Sequence, residues 1–167
     1  MGAIFSKVKP LIIEIEGEKE TDDPDDHGGK TKYGISQKQY PDLDIDNLTE
    51  DQAMAILEED YWQKYHLEQI ENQALANQIF FLIINVGPQY AIQIVQIAAN
   101  VCGRGLMRLA IDGVMGSKTI QIVNSLADGW LSNRIRLEAI SYYLQLTDHD
   151  KTQIRYFRGW VRRALMQ

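Results

Sequence analysis

Cysteine is nearly absent: Cys102 is alone in 167 residues. An intramolecular disulfide framework is therefore excluded, and a reducing compartment fits. Long apolar runs are missing too. The longest, Ile79-Phe80-Phe81-Leu82-Ile83-Ile84, is far short of the roughly 20 residues a membrane span needs, so no stable membrane insertion is expected. Basic charge is the minority, with 17 Lys and Arg against 23 Asp and Glu, a formal −6 and a pI of about 5.0. No basic stripe appears, and nucleic acid is excluded as a partner. The three histidines, His27, His66 and His149, are scattered without metal-ligand spacing, so neither a metal nor a cofactor is expected. Alternating runs of β-branched residues, internal repeats and low-complexity linkers are all lacking. Met1-Gly2-Ala3-Ile4-Phe5-Ser6 has neither the apolar core nor the cleavage site of a signal peptide, which points to cytoplasmic synthesis.

What remains is an average globular composition, 45% hydrophobic and 24% charged, at a length that buries a core without staples. Ile4, Val8, Leu11, Ile12 and Ile15 recur at helical spacing and predict an opening amphipathic helix with Pro10 near its first turn. Thr49-Glu50-Asp51-Gln52 has the form of a capping box, followed by an apolar face of Ala53, Ile56, Leu57 and Tyr61. Residues 73–86 read as a buried central helix. Pro88 suits the first turn of the next, whose Ile92, Val95, Ala99 and Cys102 share one side. Further helices are expected from about Ser117 to Leu126, from about Leu131 to Leu146, and from Asp150 onward. Any sheet is a short hairpin near Lys30–Ser36. The fold class is all-α, one compact domain over residues 1–167.

The informative stretch runs from Glu14 to Thr31. Eight acids and one base, Lys19, fall between Glu14 and Asp26. A solvated acidic loop is one reading. Calcium is another, because Asp23-Pro24-Asp25-Asp26-His27-Gly28 opens like an EF-hand loop, but the closing position holds Gly34 rather than Glu. The third reading is catalytic. Glu16 sits at the expected end of the first helix beside Ile13 and Ile15, where desolvation and neighbouring acids raise a carboxyl's pKa and keep it protonated. A protonated carboxylic acid is what donates a proton to the leaving oxygen of a glycosidic bond. Asp25, nine residues on, would stay ionised to steady positive charge or orient a water that the Thr31 hydroxyl holds.

Those residues carry a resemblance. Glu16-Gly17, Asp23-Pro24-x-Asp26 and Gly28-Gly29-Lys30-Thr31-Lys32-Tyr33-Gly34-Ile35-Ser36 resemble the catalytic signature of glycoside hydrolase family 108. Its members are N-acetylmuramidases, often labelled secretion-activating proteins. Later blocks continue the likeness: Tyr61-Trp62 with Tyr65, Asn85-Val86-Gly87-Pro88, Asp112-Gly113-Val114-Met115-Gly116-Ser117-Lys118-Thr119, and Phe157-Arg158-Gly159-Trp160-Val161-Arg162-Arg163. Glu18 stands where the family usually has a second Gly, Lys19 where an aromatic follows, and Leu82 where an Asp is common. The resemblance implies a lysozyme-like fold with a catalytic-motif half at about residues 8–87 and a peptidoglycan-binding half at about residues 88–165. It implies hydrolysis of the β-1,4 bond between N-acetylmuramic acid and N-acetylglucosamine, with peptidoglycan glycan strands as partner. The expected catalytic residues are Glu16, Asp25 and Thr31, with Asp26 in reserve for the second carboxylate. Tyr33, Asn85 and Asp26 are the expected substrate contacts, although Tyr33 equally suits packing and Asn85 a satisfied core amide. A non-catalytic wall-binding or secretion-accessory protein of the same fold is the rival. The acting site would be cell wall or periplasm, reached by holin-type or other export. Net charge of −6 opposes an anionic wall, so activity is expected to rise as salt screens the repulsion.

Overall fold

The computed structural model describes residues 2–16, 30–104, 108–126 and 129–166. It is mainly helical, with seven α-helices and one two-stranded antiparallel sheet among the described residues. The chain divides into two compact units: Ile4–Tyr65, and His66–Gln167 with the first three residues.

In the first unit a 3-10 turn, Phe5–Lys7, leads into α1, Lys9–Glu16. Pro10 lies in the first turn of α1, where its missing N–H has no intrahelical partner to lose. Val8 and Ile12 are fully buried, but Ile4 is exposed and Phe5 takes its place, edge-on to Trp62 with ring centroids 5.7 Å apart. The expected helical register from Ile4 thus fails, because the tighter 3-10 turn swings the next residue inward. Strands β1, Thr31–Lys32, and β2, Ile35–Ser36, form the hairpin expected near residues 30–36, with Thr31 opposite Ser36 and Lys32 opposite Ile35. Its tip, Tyr33 and Gly34, has φ of +54° and +80°, the two positive values a type I′ hairpin turn demands. Lys30 Nζ lies 2.6 Å from Asp46 Oδ1, and Lys32 Nζ donates to the Asp46 carbonyl at 3.2 Å. Both tether the hairpin to the loop before α2.

Helix α2, Glu50–Leu57, opens on the capping box that Thr49 and Gln52 predict: Gln52 N donates to Thr49 Oγ1 at 3.3 Å and Thr49 N to Gln52 Oε1 at 3.0 Å. A π-helical turn, Glu58–Gln63, continues it. The extra residue per turn brings Trp62, five after Leu57, onto the buried side along with Tyr61.

In the second unit Asn72 caps α3, Gln73–Val86, by accepting from Leu75 N at 3.0 Å. Eight residues of α3 are buried, as a central helix requires. Gly87, at φ +83°, turns the chain into α4, Pro88–Cys102, with Pro88 at its start. Ile92, Val95 and Ala99 are buried as expected, whereas Cys102 is only half-buried. Helices α3 and α4 pack together and against α6, Gly129–His149; α5, Ser117–Ser125, lies on α4. Helix α7, Ile154–Met166, packs on α6, where the Trp160 ring stacks on Tyr143 at 5.4 Å. No described helix is long and apolar enough to cross a membrane.

Candidate functional site

Glu16 is the last described residue of α1. Residues 17–29, and with them Asp25, Asp26 and the proposed calcium loop, lie outside the described residues. Thr31 is half-buried in β1, and the hairpin sets it one residue from the turn that carries Tyr33. Tyr33 is 8% exposed, with the Lys32 ammonium 5.7 Å from its ring centroid. The first unit therefore supplies Glu16 from a helix and brings Thr31 and Tyr33 together on one hairpin. Asn85 sits in the last turn of α3, in the second unit, half-exposed. Among the described residues no group of three or more His, Cys, Asp or Glu is placed to hold a metal ion.

One feature of the first unit escaped sequence reasoning. Tyr40 Oη donates to Asp60 Oδ2 at 2.7 Å. Burial, then the bond to Asp60, pushes the Tyr40 phenol well above its ordinary pKa. The two residues stand twenty apart, and no local pattern marks such a pair.

The second unit holds a clamp around the Asp-Gly-x-x-Gly-x-x-Thr block. Gln96 on α4 is 1% exposed. Its Nε2 donates to Asp112 Oδ1 at 2.8 Å and to the Val114 carbonyl at 3.1 Å, and its Oε1 accepts from Gly113 N at 3.0 Å. Asp112 Oδ1 also accepts from Val114 N at 2.9 Å, and Thr119 Oγ1 donates to the Val114 carbonyl at 3.2 Å. The bonds from Gln96 and Val114 hold the Asp112 carboxyl below its ordinary pKa. Gly113 has φ +74°, and a Cβ there would meet the Gln89 carbonyl oxygen at 2.9 Å. Asp112, Gly113 and Thr119 are thus explained by the loop they fold.

Within a mainly helical fold, α1 ends on Glu16 and, after residues 17–29, the hairpin carries Thr31. Residues 10–87 match the family model described as glycosyl hydrolase 108, and residues 90–165 match one described as a predicted peptidoglycan domain. The chain belongs to glycoside hydrolase family 108, as its motifs imply, and its function is peptidoglycan-related and lysozyme-like. The fold is similar to the structure of Brucella abortus SagA, with a TM-score of 0.73 and 24% identity over 97% of this chain and 94% of that one. A search of curated protein sequences finds no match. The family segment ends at residue 87, whereas the packing boundary falls after Tyr65, so α3 carries hydrolase-family sequence within the core of the second unit.

Proposed function

We propose that the protein is an N-acetylmuramidase that cleaves the β-1,4 bond between N-acetylmuramic acid and N-acetylglucosamine. The observation that carries the reading is the glycosyl hydrolase 108 match over residues 10–87, which begins in the helix that bears Glu16. In this reading Glu16, as general acid, gives its proton to the leaving glycosidic oxygen while the bond to the anomeric carbon breaks. Asp25 stays ionised and steadies the positive charge that develops on the sugar, with Asp26 the reserve for that role. Thr31 holds the water that adds to the anomeric carbon, and that water's proton returns to a carboxylate. Tyr33, Asn85 and Asp26 contact the glycan. The enzyme acts in the wall or periplasm, reached by holin-type or other export.

Digestion of purified peptidoglycan by the wild type and by Glu16→Gln, read by mass spectrometry, tests this. New muramic-acid reducing ends from the wild type alone are expected. Equal products from both would move the acid role to Glu14 or Glu18. Sacculus binding without products from either would support a non-catalytic wall-binding protein, the reading that Glu18 and Lys19 favour by departing from the family pattern.

A further inference from the structure

Helix α6 turns Leu131, Ile135, Ala139, Tyr143 and Thr147 inward, four residues apart, and all five are buried. The opposite side of the helix faces solvent, yet it carries Leu137 and Leu144 at 59% and 48% exposure. Seven residues separate them, so they stand one above the other two turns apart. Ser141 is exposed between them on the same face. On α4, Tyr90 and Ile97 line a groove of about 230 Å³ beside Ser141 and Tyr142, which extends the apolar face towards α4. The extension matters, because a stable protein interface buries more than about 1,000 Å², beyond what two leucines supply. A single exposed leucine is ordinary, but an aligned pair beside a groove of this kind marks an interaction surface.

The charges at the two ends of this face say what covers it. Arg134 stands seven residues before Ser141 and Asp148 seven after it, each about 10 Å away along the axis. Asp148 lies in the last turn of α6, where the helix's own dipole disfavours an acid. It bonds Lys151 at 2.8 Å, but its side chain stays 80% exposed. Arg134 bonds Glu138 through Nη2, and further N–H groups remain on its fork. A second α6, laid antiparallel about a two-fold axis at Ser141, answers both ends at once. Arg134 of each copy comes opposite Asp148 of the other, and each Asp148 moves towards the positive end of the other helix's dipole. The same axis sets Leu137 of one copy against Leu144 of the other, since that pair shares the midpoint to within half a residue. Ser141, being small, lets the two helices approach closely where they cross. Two complementary pairs with one common centre are what an isologous interface requires, and an unrelated partner has no need of them.

We infer that the outer face of α6 joins two copies of this chain into a two-fold dimer, with the α6 helices antiparallel across Ser141. The dimer does not depend on the muramidase reading. Sedimentation equilibrium of the full chain over a concentration series tests it. The wild-type mass should rise from 19.1 kDa towards twice that value. Leu137→Lys, at an exposed position, should weaken association by about a hundredfold. Arg134→Glu and Asp148→Arg each set like charges opposite one another and should weaken it by about tenfold. Mixed in equal amounts, those two variants should recover wild-type association, because the new acid meets the new base and the native pair survives. Circular dichroism checks folding, and a misfolded variant is not rescued by mixing. A wild type that stays at 19.1 kDa throughout overturns the dimer, as does wild-type association in Leu137→Lys. A mixture that associates no more tightly than the separate variants overturns the two-fold pairing.

Discussion

The two units divide the charge of the chain unequally. Residues 4–65 hold seven Lys and Arg against sixteen Asp and Glu, a formal −9, while residues 66–167 hold ten against seven, a formal +3. Eight of those sixteen acids lie between Glu14 and Asp26, and the other eight between Asp42 and Asp60. The base lies in the unit that contains the predicted peptidoglycan domain. A single net charge of −6 averages two surfaces of opposite sign, and local fields act on a polymer within about a Debye length, roughly 8 Å at physiological salt. The expectation that the wall repels this chain describes the first unit only.

The sharpest division of labour is tested by Glu16→Gln. Loss of a general acid is expected to lower turnover by about 10²- to 10⁴-fold. Because the change is in the first unit, sacculus binding should stay at the wild-type level. A variant that loses binding and turnover together would break the comparison.

Gly113→Ala tests the second unit from within. The left-handed φ and the clash with the Gln89 carbonyl predict a loss of about 1–3 kcal/mol in stability. For a chain of this size each kcal/mol lowers the melting temperature by about 2–4 °C. Gly116→Ala is the control: φ is −87° and a Cβ meets nothing within 4 Å, so the change should stay within about 0.5 kcal/mol. Equal melting temperatures for the two variants would remove strain at residue 113 from the account of this block.

The features legible in the sequence were local. The capping box of Thr49 and Gln52, the hairpin at residues 30–36, Pro88 at a helix start and the buried run of α3 each follow from neighbours within a few residues. What escaped depends on a change of period or on distant partners. The 3-10 turn before α1 exposes Ile4, and the π-helical turn after α2 sets Trp62 inward; a 3.6-residue period anticipates neither. Gln96 is bound to residues sixteen to twenty-three positions away. For the site, Thr31 and Tyr33 fall on one hairpin, while the role proposed for Glu16 rests on motif and spacing.

The basic face of α7 was also missed, because its arginines are interleaved with Tyr156, Phe157 and Trp160. Arg155, Arg158 and Arg162 are exposed, and no acid falls within Ile154–Met166. Their spacing of three and four places them on one side of the helix. Arg155→Gln, Arg158→Gln and Arg162→Gln together should weaken sacculus binding several-fold at low salt and flatten its salt dependence. Wild-type binding is expected to fall as salt rises, although the net charge alone predicts the reverse. Binding that strengthens with salt would restore the whole-chain view.

The smallest effect lies at acid pH and separates the units by their carboxylates. Asp112 has a folded pKa below the ordinary value of 3.8, held there by Gln96 and the Val114 amide. The unfolded chain therefore binds this proton first, and the contribution to stability is fully present above the unfolded value. As pH falls through the lower, folded value, protonation removes the acceptor strength that draws Gln96 Nε2 and Val114 N, and the contribution is lost. Asp112→Asn should flatten the acid limb of the melting-temperature profile below about pH 4 and leave the neutral region with a small, pH-independent loss. An acid limb unchanged in the variant would remove the Asp112 bonds from the account of the fall, and the sixteen acids of the first unit, whose mutual repulsion relaxes on protonation, act with the opposite sign.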